Sequence, residues 1–449
     1  MSRPGILRHL LQIQEVCKGK LKPDEYFELL ALFLALVARH PELVERTATM
    51  RNEPAECQAF FSQQLDHLFQ NEPTLPWNLG EHRHVIGPIL AILAQLALQY
   101  RAELPNIASC IRRYYAEQYH KPSRLEFQKA IYFQSMLGNI ANLSLLDSHC
   151  GLGFKSLLLN PKQHVLNEQD KQLSQLGYRL HLAGGRPDHF LNEDYLKASC
   201  THQDSPSPDS ESYSPLLSAP ECYDIALVEP PGAQPLNEES RLYFERHFPF
   251  LLKPEGELPS TATLSLWIQQ TLRQLKPNGK AYIVVPNGWL SRGGYDGQFR
   301  HYLLENGHIE SVSAIDEDIQ EQSQTSLLIL RKAASKSRPV IFMDHDSALL
   351  HALYQVEAGS SADIELTPPD LTPTYSSRRE LSIRDILRQD TRGRYADLQP
   401  NHFLVEAPTQ TISTSLATEQ AKLIDAQSTA EAAQQALQSL MDKYRSQEG

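Results

Sequence analysis

The chain has 449 residues, of which 41% are hydrophobic and 21% charged, a globular composition that excludes a wholly disordered, collagen-like or coiled-coil protein. Lys and Arg number 42 against 54 Asp and Glu, a net charge of −12, so any grip on nucleic acid is local or shared with a partner. The six cysteines (Cys17, Cys57, Cys110, Cys150, Cys200, Cys222) are dispersed with no C-x-x-C pair; neither a disulfide framework nor a metal cluster is suggested, and a reducing cytoplasm fits.

The amino-terminal MSRPGILRHLLQ lacks the continuous apolar core of a signal peptide. The longest apolar runs, 29–37 and 89–98, stop short of the roughly 20 residues a bilayer needs, so no membrane role is expected. Residues 1–118 read as a helical domain: Asp24 starts one long apolar run ending near His40, and Pro88 opens another ending near Leu104. From 119 to 345 short apolar strands alternate with amphipathic helices, at 143–147, 163–167, 223–228, 281–286 and 326–330, the pattern of a parallel sheet with crossover helices. Within it 199–220 is dense in Ser, Pro and Asp and reads as a disordered surface insertion. A second long connection, 233–263, carries Tyr243, Phe244, Phe248 and Phe250, enough apolar material to fold on itself or to touch a ligand. A further strand at 340–343 leads into a carboxyl-terminal extension, 346–410. In 411–449 the positions Leu416, Leu423, Ala426, Ala430, Ala433, Leu437, Leu440 and Tyr444 recur at three- and four-residue steps, a thin apolar seam on a helix that lies on its own protein or, as we favour, docks on another subunit.

The sharpest local feature is NLSLLDSHCGLG, in which a strand ends in Asp147 and runs through Gly151 and Gly153 into a helix near Phe154. Glycines there permit a tight turn and close approach of a ligand to backbone, at the end of the sheet where doubly wound folds bind small molecules. The third glycine of a dinucleotide fingerprint is absent, because Ser156 stands in its place, which argues against a nicotinamide-dependent dehydrogenase. Glu168 at the end of the next strand is placed to accept ribose hydroxyls, and Asp194 follows another short apolar run. YDIALVEPPGA then drives a buried strand directly into Glu229, Pro230, Pro231 and Gly232, where two prolines stop the strand and stiffen the backbone.

This order, Asp-x-x-x-Gly-x-Gly, a strand-end Glu, a strand-end Asp and then x-Pro-Pro-x, resembles the adenine-N6 DNA methyltransferases, in particular the modification subunit of type I restriction systems. The likeness continues through 264–315 and 324–332, through the closing stretch 379–405, and upstream into YHKPSRLEFQKAI, which stands at the family's Phe-Thr-Pro element. The resemblance implies an α/β, Rossmann-like S-adenosylmethionine-dependent methyltransferase fold with an N-terminal all-helical domain and a C-terminal helical tail. It also implies S-adenosylmethionine as cofactor, held by Asp147, Cys150, Gly151, Gly153, Glu168, Asp194 and Pro122, and a catalytic element of Glu229, Pro230, Pro231 and Gly232. DNA is the implied substrate, with a specificity-type or nuclease-type subunit as partner and Arg241, Arg292 and Arg300 as phosphate contacts.

Where the family has Asn-Pro-Pro-aromatic, this chain has Glu229 in the Asn place and Gly232 in the aromatic one. The extra methylene of Glu229 moves the acceptor, and a displacement on the order of 1 Å can cost 100-fold. Loss of a stacking ring removes roughly 1–3 kcal/mol per base, unless Tyr243 or Phe244 takes its place. Ser148, Leu152 and Lys121 also depart from the family's cofactor residues, Leu152 either crowding the cofactor or pointing into the core. The expectation is therefore an adenine-N6 methyltransferase with impaired catalysis or, alternatively, an inactive methyltransferase-fold scaffold that binds DNA or S-adenosylmethionine within a restriction or phage-defence complex.

Overall fold

The computed structural model describes residues 3–19, 21–50, 52–71, 87–119, 130, 133–134, 136–185, 189–200, 214–230, 235–315, 325–332, 338–345, 375–389 and 396–404. The chain divides into two compact units, 1–400 and 401–449. Of the second unit only 401–404 are described, in the short helix Pro400–Leu404, and the tail seam of 411–449 lies outside the described residues.

The first unit begins with helices α1 (Arg3–Cys17), α2 (Pro23–Arg39), α3 (Pro41–Thr49), α4 (Pro54–Asn71), α5 (Gly87–Gln99) and α6 (Leu104–Gln118). Pro23 at the start of α2, acids Asp24 and Glu25 in its first turn and Arg39 in its last suit the helix termini and macrodipole. Its middle is apolar all round, which fits only the centre of a packed group, and residues from Tyr26 to Val37 are almost wholly buried. The run expected from Pro88 to Leu104 is broken: α5 stops at Gln99, a short 3-10 turn follows, and Pro105 opens α6.

Nine strands form one sheet: β1 (Ser144–Asp147), β2 (Gln163–Asn167), β3 (His189–Leu191), β4 (Tyr223–Val228), β5 (Leu275–Pro286), β6 (Ile309–Ile315), β7 (Thr325–Arg331), β8 (Val340–His345) and β9 (Tyr375–Leu381), in the order β3-β2-β1-β4-β5-β7-β6-β8-β9. From β3 to β5 all neighbours are parallel. The wholly parallel sheet expected from the sequence is corrected beyond β5: β7 pairs antiparallel with both β5 and β6, and β9 pairs antiparallel with β8. Helices α7 (Phe154–Leu159), α8 (Lys171–Ala183) and α9 (Tyr195–Ala198) belong to the crossovers among β1, β2, β3 and β4. Parallel strands covered on both faces read as continuous apolar runs, as Leu145–Leu146 and Ile225–Val228 do.

The expected insertion 199–220 is smaller than its composition suggests. Ser199 and Cys200 are buried, and residues 215–218 form a helical turn, α10 (Pro215–Ser218), with Leu217 fully buried under hydrogen bonds from the Gln270 and Gln274 amides. The apolar pair Leu216–Leu217 supplies the burial that the Ser/Asp-rich stretch lacks; residues 201–213 lie outside the described residues. The aromatic connection after β4 folds on its own rings. Asn237 caps α11 (Glu238–His247), Phe244 stacks edge-on with Phe248, and Phe248 with Phe250, before α12 (Thr263–Gln274) begins.

The N-terminal helices and the α/β part share a core: Leu152, Phe154, Leu176, Leu180 and Ala183 cluster with the apolar residues of α1 to α6. Within the α/β part, Gly177 lets α8 lie close on β3 and the glycine turn, because a Cβ there would lie 2.6 Å from Phe190 Cζ and 3.2 Å from the Gly151 carbonyl oxygen. Gly→Ala inside a helix ordinarily gains about 1 kcal/mol, whereas overpacking costs about 1–3 kcal/mol. Gly177→Ala is therefore expected to lower stability in urea unfolding; a gain would show that the Phe190 ring swings aside freely.

Candidate functional site

β1 is flanked by β2 on one side and β4 on the other, so the chain reverses direction of winding there, and the carboxyl ends of β1 and β4 border the crevice in which such sheets bind ligands. The backbone amide of Ser148 donates to Leu227 O at 3.2 Å and ties the two strand ends together. After Asp147 the chain turns through Gly151 (φ 53°) and Gly153 (φ 78°), both in the left-handed region that glycine enters at little cost, and then starts α7. The turn is held by Cys150 N donating to Asn167 O (2.9 Å) and Gly153 N to Cys150 O (2.8 Å).

Glu168 is buried beside this turn. Its Oε2 accepts from Gly151 N at 2.9 Å and its Oε1 from Asp170 N at 2.8 Å, with His149 Nε2 3.7 Å away. It therefore fastens the glycine turn to the end of β2. Asp194 follows β3 and caps α9, its Oδ1 accepting from Leu196 N and Lys197 N. Cys150 packs with Leu166 and Phe190, so its side chain belongs to the core. Leu152, for which two orientations were open, is fully buried in the cluster shared with the N-terminal helices, and its side chain is core as well.

The centre of the site is an ion cluster that the motif pattern does not contain. Lys155, on the first turn of α7 and fully buried, places Nζ 3.2 Å from Asp147 Oδ1 and 3.4 Å from Glu229 Oε2, and donates to His149 O at 3.4 Å. Asp147 is also fully buried, and its Oδ2 accepts no hydrogen bond among the described residues. Burial pushes the Asp147 carboxyl up from 3.8 to about 7; the Lys155 ammonium opposes this, while the charges of Glu229 and Glu168 reinforce it. Lys155 escaped the sequence reading because FKSLLL looks like an ordinary amphipathic turn. The available signal was a charge on a helix that leaves a glycine turn directly after a strand-end Asp.

Glu229, 21% exposed at its side chain, follows Val228 at the tip of β4, and Pro230 stands beside it. Pro231, Gly232 and Pro122 lie outside the described residues. Of the two rings offered as a substitute for the missing aromatic, Phe244 is committed to the core. Tyr243 leans on His247 and has its phenol raised by burial and by nearby Cys200 and Asp194, which puts it on the β3 side of the site.

The three arginines differ. Arg300 is corrected: its guanidinium is fully buried and donates to the carbonyls of Ala396, Trp289 and Arg292, tying the carboxyl-terminal stretch to α13 (Asn287–Ser291) and α14 (Gly294–Glu305), so it cannot meet a phosphate. Arg241 pairs with Glu257 at 2.8 Å and Arg292 with Asp296 at 3.4 Å. Among the described residues no cluster of His, Cys, Asp and Glu could hold a metal ion, and no helix is long and apolar enough to cross a membrane.

Residues 195–358 match the family model of the N-6 DNA methylases. No curated protein matches the chain. Among solved structures, the methyltransferase subunit of a type I restriction-modification system from Streptococcus thermophilus aligns with a TM-score of 0.58 at 18% identity, covering 89% of this chain and 99% of that one. A structure described by the complex assembly and conformational transition of a type I restriction-modification system gives a TM-score of 0.58 at 15% identity over 97% and 99% of the two chains. A modification subunit of a type I restriction enzyme from Vibrio vulnificus YJ016 gives 0.52 at 12% identity over 91% and 97%. The fold is thus the Rossmann-like methyltransferase fold with a helical amino-terminal region. Within that class residues 195–358 resemble the N-6 DNA methylases, and the fold is similar to those of the type I methyltransferase subunits above.

The residue set suits a nucleoside cofactor in kind: a left-handed glycine turn, acids at the tips of adjacent strands, and a buried Asp147 oxygen that accepts no hydrogen bond among the described residues. The Asp147 carboxyl holds its proton more tightly in the folded chain than in the unfolded one. Its contribution to stability is present below the unfolded value of 3.8 and is lost as pH rises through about 7. Asp147→Asn should therefore flatten the dependence of Tm on pH across that window, and an unchanged slope would assign it to other groups.

Proposed function

We propose that the chain is an S-adenosylmethionine-binding, type I modification-subunit-like adenine-N6 DNA methyltransferase whose transfer step is impaired, working in the cytoplasm with a partner that supplies DNA specificity. The observation that carries this reading is the meeting of Asp147 and Glu229, from the tips of β1 and β4, on one Lys155 ammonium beside the glycine turn. That is where a cofactor and a target base would have to come together.

The bound cofactor would supply an electrophilic methyl group. The protein's share is to extrude the adenine, at a few kcal/mol, and to accept the hydrogens of its N6 amine so that the delocalised nitrogen lone pair is drawn back for attack. Glu229 stands where that acceptor belongs. Its carboxylate is drawn on by Lys155 at 3.4 Å, which lowers its power as an acceptor, and its extra methylene displaces it further. Asp147, Gly151, Gly153 and Glu168 shape the cofactor side, with Asp194 bordering it. Arg241 and Arg292 are the remaining phosphate-contact candidates.

The same Lys155–Glu229 contact favours a second reading, a non-catalytic scaffold that retains the fold to bind DNA or S-adenosylmethionine within a restriction or phage-defence complex. Calorimetry with S-adenosylmethionine, alongside methyl transfer to adenine-containing duplex DNA with and without co-purifying partners, separates the two: transfer supports the enzyme, and DNA binding without transfer the scaffold. Glu229→Asn combined with Gly232→Phe should raise transfer by roughly 100-fold if displacement of the acceptor is the main defect, and no gain would favour the scaffold. Asp147→Ala should weaken S-adenosylmethionine binding; unchanged affinity would refute the cofactor assignment.

We further propose that 411–449 is the subunit-docking segment, on the strength of its thin apolar seam with alanines at its middle. Removing the residues after Thr414 should release a co-purifying partner while leaving the thermal transition of the remainder in place. A truncated chain that still brings down its complex would rule this docking role out.

A further inference from the structure

Arg300 directs a buried guanidinium at three backbone carbonyls, those of Trp289, Arg292 and Ala396. Two of these belong to the last turn and C-cap of α13, where a helix leaves carbonyls without intrahelical partners and a basic side chain can take them up. The Arg292 backbone is thereby held from both sides. Its N–H donates to Gly288 O at 3.0 Å and its carbonyl accepts from Arg300, immediately before Gly293 and the left-handed Gly294 (φ 64°) lead the chain into α14. The third carbonyl lies in the stretch 396–399, which also gives Leu398 N to Leu290 O at 3.0 Å and Gln399 Nε2 to Ser291 Oγ at 2.9 Å. One buried side chain thus closes a knot between the tip of β5 and the stretch before Pro400.

The knot stands on the rim of the crevice. β4 and β5 run parallel with Val228 level with Ile283, so α13 rises from the strand next to the one that carries Glu229. Arg292 keeps 45% of its side chain exposed there, and its guanidinium makes one hydrogen bond among the described residues, 3.4 Å long, to Asp296 Oδ2. Asp296 is 2% exposed and is itself fixed by the Ser265 hydroxyl of α12 at 2.6 Å. Arg241, by contrast, is 26% exposed and bound at 2.8 Å to Glu257. A guanidinium is a planar fork of donors matched to phosphate; one restrained by a long bond at one corner and open to solvent elsewhere can meet a phosphate with little further ordering.

From this arrangement we infer that Arg300 is a positioning residue for DNA: acting through the backbone of Arg292, it holds that side chain on the crevice rim as the arm that grips a phosphate of the target duplex. The inference rests on the proposed DNA methyltransferase reading. It deepens that reading by choosing between Arg241 and Arg292 and by naming the buried residue that presents the chosen one.

The test is binding of the full chain to a fluorescein-labelled, adenine-containing duplex across a salt series. Each phosphate contact contributes about 0.9 to the slope of log affinity against log salt. Arg292→Ala should make the slope shallower by about that amount, and Arg241→Ala should leave it in place. Arg300→Lys keeps the buried charge without the fork. It should reproduce the Arg292→Ala slope, and combining the two changes should remove nothing more, whereas a merely structural role would lower Tm and leave the slope at its wild-type value. Should Arg300→Lys not fold, phenylglyoxal labelling of the wild-type chain, read by mass spectrometry, still decides: the duplex should protect Arg292 and leave the labelling of Arg241 unchanged. A wild-type slope in Arg300→Lys, additive losses in the double variant, or equal labelling of Arg292 with and without DNA overturns the inference. The methyltransferase reading survives any of these, since cofactor calorimetry and methyl transfer test it separately. A chain that binds no duplex, alone or with co-purifying partners, overturns both.

Discussion

A buried carboxyl group beside a second, half-buried one at the neighbouring strand tip demands a cation, a proton or a ligand to balance it. In this protein Lys155 meets that demand from within the fold, and much of the site's geometry follows from it. The glycine turn must bend tightly enough to start a helix whose first turn reaches back over β1. Asp147 must remain buried, and Glu229 must lean toward the same nitrogen rather than out along its own loop. The cluster joins the ends of two parallel strands that the backbone contact from Ser148 to Leu227 already holds together.

A cluster of this kind is weak evidence of stability, since desolvating charges offsets most of what their attraction returns. Its significance is positional. It stands at the switch point, where open sheets of this kind leave a crevice for a ligand. Glu168 shows the same division of labour. By accepting from Gly151 and Asp170 it builds the turn, and the acid that strand order marks as a ribose contact is at the same time a structural clamp.

The strands around the site were legible because buried parallel strands leave short apolar cores followed by acids: 163–167 and 223–228 coincide with β2 and β4, and 143–147 differs from β1 by one residue. The antiparallel insertion of β7 between β5 and β6 was not, because a strand's direction depends on partners that its own residues do not name. Arg300 misled for a related reason. On a helix with polar neighbours it reads as surface, yet carbonyls contributed from α13, the residues after it and Ala396 supply the acceptors that let a guanidinium be buried. Lys155 was hidden by its apolar neighbours; its local signal was the strand-end Asp147 just before the glycine turn, and its contact with Glu229, 74 positions away, completes its meaning.

The apolar seam between the amino-terminal helices and the glycine turn has one more consequence. Leu152 and Phe154, the residues on either side of Gly153, are lodged among side chains of α1 to α6. The glycine turn therefore rests on side chains of the amino-terminal helices. Severing the chain at the composition boundary near residue 118 would leave the catalytic-looking half with an oily underside and a turn deprived of its backing. The helical quarter is thus foundation for the crevice, and the border drawn by composition runs through the middle of a single core.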